Sequence, residues 1–88
     1  MKPKHYADPV VATELVSMYE DYLQHQPGNN YVRSEFAGIA NWCDRHDVAD
    51  RELRRLGDKI VDTEWFTRGA LEAVRQESAA KTAKQRKN

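Results

Sequence analysis

Three arginines stand close together in the stretch CDRHDVADRELRRL, Cys43 to Leu56: Arg51, Arg54 and Arg55. A guanidinium presents a flat fork of N–H donors that fits a carboxylate, a phosphate, or the O6 and N7 edge of guanine. At helical spacing these three share one side of a helix, opposite Leu53 and Leu56. Arg45 and Lys59 flank them and can meet phosphates. Asp50, Glu52 and Asp58 are interleaved, and they offer the same arginines partners along the helix. The last eight residues, KTAKQRKN, add Lys81, Lys84, Arg86 and Lys87 with no acid, a charge of +4. The first eighty hold 10 Lys and Arg against 14 Asp and Glu, a charge of −4. An acidic body does not draw phosphate by its bulk field, so contact with nucleic acid rests on the local patch and the tail.

Other chemistry is sparse. Cys43 and His46 lie three apart, but two ligands do not make a metal site, and no second Cys or clustered His completes one. Cys43 belongs to an apolar stripe and reads as a small buried thiol. His5 and His25 fall at a terminus and a helix end, and Asp44 and Asp47 read as turn and surface charge. Nothing resembles a nucleophile with its base, so the expectation is no enzyme, no cofactor, no metal and no small-molecule substrate. One cysteine allows no internal disulfide, which fits a reducing compartment. The start, MKPKHYADPV, lacks the apolar run of a signal peptide, and no segment reaches the roughly 20 apolar residues of a membrane span. A cytoplasmic location is expected.

The elements that position these groups follow from periodicity. The 88 residues suit one small domain. Residues 1–8 read as a leader. Asp8 can cap and Pro9 fits a first helical turn, so a helix is expected over about 9–25. Val11, Leu15, Met18, Tyr19, Tyr22 and Leu23 form its inner stripe. QPGNN ends it. A second helix is expected over about 33–46, with Ser34 as cap and Phe36, Ile39, Ala40 and Cys43 inward. HDVAD breaks the chain, and Asp50 caps a third helix over about 50–61. Trp65 and Phe66 are expected to close the core in a helix over about 64–80. A restart near Gly69 with Thr67 as cap, and a short extended wing over 60–67, are the alternatives. Residues 81–88 read as a frayed helix end or a disordered basic tail. The fold class is therefore all-α, three to four helices in a domain over 9–80.

Ile39, Cys43, Asp47, Val48, Leu53 and Leu56 fit two helices joined by a tight turn. Cys43 is the small residue at the crossing, Asp47 the turn residue, and Val48 the apolar residue tucked in after it. Over about 39–58 this pattern resembles the DNA-binding helix-turn-helix superfamily. Asp47 stands where Gly is usual and Cys43 where Ala is commoner. The resemblance implies a third helix lying in the major groove with Arg51, Arg54 and Arg55 toward the bases, and Arg45, Lys59 and the tail toward phosphates.

Two functions follow as expectations. One is a small DNA-binding regulator on double-stranded DNA, working as a homodimer or with a companion protein, with the first helix as a candidate dimer surface. The other is a protein-binding module of phage or plasmid type that inhibits or recruits a larger host protein, with no nucleic-acid activity. For the second, Tyr19, Tyr22, Tyr31 and Trp42 are the candidate interface, since aromatics not needed inside mark a protein partner.

Overall fold

The Asp8 side chain accepts a hydrogen bond from the Val10 N–H, and Pro9 fills the first helical position, opening α1 over Pro9–His25. The computed structural model describes residues 8–86. Ala12, Val16 and Leu23 of α1 are buried. The expected span is found, but the inward face is rotated: Leu23 is buried and Val11, Leu15 and Tyr19 are half-buried as expected, while Met18 and Tyr22 are exposed and Ala12 and Val16 take their place.

The second helix, α2, spans Asn30–Trp42 and starts earlier than expected, because Asn29 accepts from the Val32 N–H and serves as the cap. Ser34 is not a cap. It is buried within α2, and its Oγ accepts from the Val61 N–H. The helix stops at Trp42 because Asp44 takes a left-handed backbone, φ 58°. The turn residue is thus Asp44, not Asp47. Residue type cannot separate these two aspartates. Burial of Val48 and Ala49 does, since it requires the next helix to be under way before them.

That helix, α3, spans His46–Leu56 rather than 50–61. Asp50 lies inside it, buried, and is no cap. Gly57, with φ 57°, ends it, a conformation that favours glycine. Residues 57–67 then run without helix or strand, so the wing over 60–67 does not form. Ile60 and Phe66 of this connection are buried, while Trp65 is 51% exposed and does not close the core. The last helix, α4, spans Arg68–Arg86, with Thr67 Oγ1 accepting from the Ala70 N–H and Asp62 Oδ1 from the Arg68 N–H. It starts later than 64 and continues beyond 80, through part of the stretch read as a frayed or disordered tail. Thr82 is buried there.

Among the described residues the chain is all-helical, with four helices and no strand. Among them, α2 packs against α1, α3 and α4, and α3 packs against α4. Tyr19 of α1 stacks on Phe36 of α2 at 5.1 Å, and Leu53, Leu56, Ile60 and Leu71 fill the far side. Gly38 gives the Phe66 ring its room, since a Cβ there would lie 2.5 Å from it. That ring is also held by Trp42, at 4.7 Å. Alanine at 38 gains about 1 kcal/mol in helix propensity but meets an overpacking cost of about 1–3 kcal/mol. Gly38→Ala is therefore expected to lower stability, read as an earlier urea midpoint with an unchanged slope.

Candidate binding surfaces

Glu52 lies on α3 between the inward-facing Ala49 and Leu56, and its side chain is 1% exposed. A lone carboxylate there would be expensive, so its oxygens must be met. Arg33 Nη1 of α2 donates to Oε1 at 2.5 Å. On the other oxygen, Arg51 Nε donates to Oε2 at 2.8 Å and Arg55 Nη1 at 3.1 Å. Arg33 is itself buried, and its Nη2 donates to the Pro27 carbonyl at 3.0 Å. Arg51 extends the network to α1, its Nη2 donating to Glu20 at 2.8 Å. Burial alone would push the Arg51 guanidinium down. The hydrogen bonds and charges of Glu52 and Glu20 outweigh it, and its pKa stands above the usual arginine value.

The predicted reading residues are thus on one strip of α3, and each is met by a carboxylate. Arg54 pairs with Asp50 at 3.2 Å, four residues back, and is 63% exposed. Arg55 is 59% exposed beyond its bond to Glu52. Arg45 turns away from that strip and donates to Thr13 Oγ1 of α1 at 3.0 Å. Lys59 is exposed beyond the end of α3. On α4, Lys81 pairs with Glu77 at 2.9 Å and Lys84 is exposed. Arg86 is the last residue of α4, and Lys87 lies outside the described residues.

A cavity of about 590 Å³ opens beside this network, with Leu23, Pro27 and Phe36 between the charged groups. The sequence suggests no such space, although its size is ordinary for a ligand pocket. Its cationic wall is already engaged, by Glu20 and Glu52. Sequence reasoning missed Glu52 and Arg33 because charged residues are assigned outside by type. The signal was present: Glu52 falls three after Ala49 and four before Leu56, on the buried stripe.

The aromatic set divides. Tyr19 is turned inward on Phe36, and Tyr22 on α1 accepts from Asn29 Nδ2 at 3.2 Å. The inner stripe of α1 is taken up by the core, leaving Val10, Met18 and Tyr22 exposed on it. Tyr31 and Trp42 instead face the 57–67 connection. The Tyr31 hydroxyl accepts from the Glu64 N–H at 2.9 Å, and the ring is 45% exposed. Trp42 is half-buried and meets Trp65 at 5.7 Å with the rings tilted by 59°. Glu35, one turn after Tyr31, has its Oε1 buried with no hydrogen-bond partner among the described residues. Burial first, and the charge of Glu64 second, hold its carboxyl above the ordinary range. Glu35 and Glu64 carry no binding signal in the sequence, and the apolar Trp65–Phe66 pair points to the core rather than to an exposed ring.

Among the described residues no group of three His, Cys, Asp or Glu could hold a metal ion, and Cys43 is buried. No helix of the described residues is long and apolar enough to cross a membrane. The chain matches no family model, no curated protein and no solved structure.

Glu52→Gln leaves the Arg33 guanidinium buried against a neutral group. It is expected to cost about 3–5 kcal/mol in urea unfolding, the range for breaking a buried pair. Arg54→Ala removes only an exposed end of one pair and should stay within about 0.5 kcal/mol. Glu35 titrates in the opposite sense to a paired carboxylate. Its raised folded pKa makes ionisation oppose folding, so stability is lost as pH rises through that pKa. Glu35→Gln should therefore stabilise the protein at neutral pH, and the gain should vanish below the unfolded carboxyl value of about 4.3. Thermal unfolding across this pH window checks it.

Proposed function

We propose that this chain is a small protein-binding module that presents the Tyr31–Trp65 face to a larger partner. The observation that carries the reading is the state of the α3 arginines. Arg51, Arg54 and Arg55 all spend donors on carboxylates of the chain itself. Gripping a duplex would require some of those bonds to be exchanged for phosphate or base contacts beside a body that is already acidic. Tyr31 at the start of α2 and Trp65 on the connection that Tyr31 bonds are exposed instead, and aromatics of this kind dominate protein interfaces.

A second reading is a DNA-binding regulator of helix-turn-helix type. Its support is the turn of Cys43–Arg45 between α2 and α3, the left-handed Asp44, and Val48 tucked in behind it. Arg54 and Arg55 also keep exposed N–H groups on the outer strip.

Two measurements separate these readings. Anisotropy with a labelled random duplex, at low and physiological salt, should show no binding in the non-specific range of about 10⁻⁴–10⁻⁶ M. Tight duplex binding with a steep salt slope, weakened by Arg54→Ala, overturns the proposal. In a pull-down with tagged protein, the captured partner should be lost with Trp65→Ala and retained with Arg54→Ala. The reverse pattern also overturns it.

A further inference from the structure

The cavity beside the Glu52 network is bounded by α1, α2, α3 and the turn at Pro27. Three guanidinium groups and two carboxylates line it, which leaves one positive charge in excess. The hydrogen bonds show where that excess stands. Arg33 is buried and spends Nη1 on Glu52 and Nη2 on the Pro27 carbonyl. Arg51 spends Nε on Glu52 and Nη2 on Glu20. Arg55 spends only Nη1, on the Glu52 oxygen that Arg51 also meets. Among the described residues, Arg55 Nε and Nη2 and Arg51 Nη1 donate to no acceptor. A guanidinium carries five N–H donors, so both groups keep capacity for a further acceptor. Solvent reaches both, since the Arg55 side chain is 59% exposed and that of Arg51 40%.

The acceptor that matches two neighbouring guanidinium forks is an oxyanion, carboxylate or phosphate. Charge decides between them. A monoanion cancels the excess, whereas a phosphate monoester carries about −1.5 to −2 at neutral pH and overshoots it. The acidic body, −4 over residues 1–80, makes the second charge costlier still. The rest of the wall indicates what the carboxylate is attached to. Leu23 and Phe36, both buried, back the cavity, and Pro27 is its exposed apolar edge. A few placed polar groups on an apolar wall are the make-up of small-ligand pockets, which span about 300–1,000 Å³. Enclosure by three helices suits a small free molecule better than a folded partner.

We propose that this cavity binds a small organic acid, with its carboxylate on Arg55 and Arg51 and a short apolar body against Leu23 and Pro27. Neither Tyr31 nor Trp65 lines the cavity, so the proposal stands or falls separately from the protein-binding reading. The bound acid bridges α1, the Pro27 turn and α3, and it exists only on the folded chain.

The probes are sodium hexanoate, sodium acetate and neutral hexanamide, titrated at fixed ionic strength into ¹⁵N-labelled protein. Hexanoate should shift the backbone amides of Gln24, Arg51 and Arg55 and the Arg55 side-chain Nε–H. The shifts should saturate at one acid per chain with a Kd below about 1 mM. Acetate should bind at least about tenfold more weakly, since it lacks the apolar body. Hexanamide should lose a similar factor, since it lacks the charge. Arg55→Gln leaves Glu52 with Arg33 and Arg51. Checked for native helicity by circular dichroism, it should weaken hexanoate about tenfold. Arg54 is as exposed as Arg55 but lies outside the cavity, and Arg54→Gln should leave binding unchanged.

No saturable shift in the parent protein, or shifts centred away from these residues, overturns the proposal. Acetate or hexanamide binding as tightly as hexanoate also overturns it, as does equal weakening by Arg54→Gln and Arg55→Gln. A peptide C-terminus presents the same chemistry. If acetyl-Gly-Gly-Leu binds more tightly than 4-methylpentanoate, the occupant is a chain end and the free acid is ruled out.

Discussion

One buried carboxylate sets the terms for the arrangement of the first three helices. Glu52 sits where a leucine would be unremarkable, and its charge is tolerated because guanidinium groups from two helices converge on it. Ion pairs of this kind seldom add net stability over an apolar substitute, but they are demanding about geometry. Arg33 reaches Glu52 only if α2 and α3 cross in the observed register, and Arg51 meets Glu20 only if α1 lies alongside. The apolar stripes alone would permit neighbouring registers, since Leu, Ile and Val pack with many partners. The network supplies the selectivity that a small core lacks.

The same arrangement determines what the outer strip of α3 can offer. An arginine whose donors are committed to an internal acid is a different object from one projecting into water, though both read alike along the chain. The cluster that invites a nucleic-acid reading is in large part the counter-charge of a buried glutamate. Among the described residues, Tyr31 and Trp65 are tied to the fold only by the hydroxyl bond to the Glu64 N–H and the ring contact with Trp42, and much of each ring stays exposed.

Much of the fold was legible. The bounds of α1 follow from Asp8, Pro9 and QPGNN, and the inward positions of Val48, Leu53 and Leu56 follow from spacing. What sequence misplaced were the joints. Asp44 and Asp47 are equal by type as turn residues, and Asp50 makes as good a cap as any. The choice among them is made by tertiary burial of Val48 and Ala49. Trp65 and Phe66 are adjacent and similarly apolar, yet one is buried under Gly38 and the other left outside. Only the path of the connection decides that. The site was less legible than the fold. Arg33 and Glu52 are nineteen residues apart, and no local pattern links them. The open oxygen on Glu35 is a property of its surroundings and has no trace in the sequence.

The position of α1 has a consequence for how the molecule breathes. Among the described residues it packs chiefly on α2, and its polar ties to α3 are Glu20 with Arg51, and Thr13 with the turn residue Arg45. The apolar cluster around Leu53, Leu56 and Ile60 is built mainly from α2, α3, α4 and the 57–67 connection, with Ala12 of α1 at its edge. An edge helix held this way is the natural unit of sub-global opening. Its amides should exchange with solvent at a lower free energy than those of α2 and α3, and each such excursion uncovers the Phe36 ring. Such an opening would leave a three-helix form with a fresh greasy face.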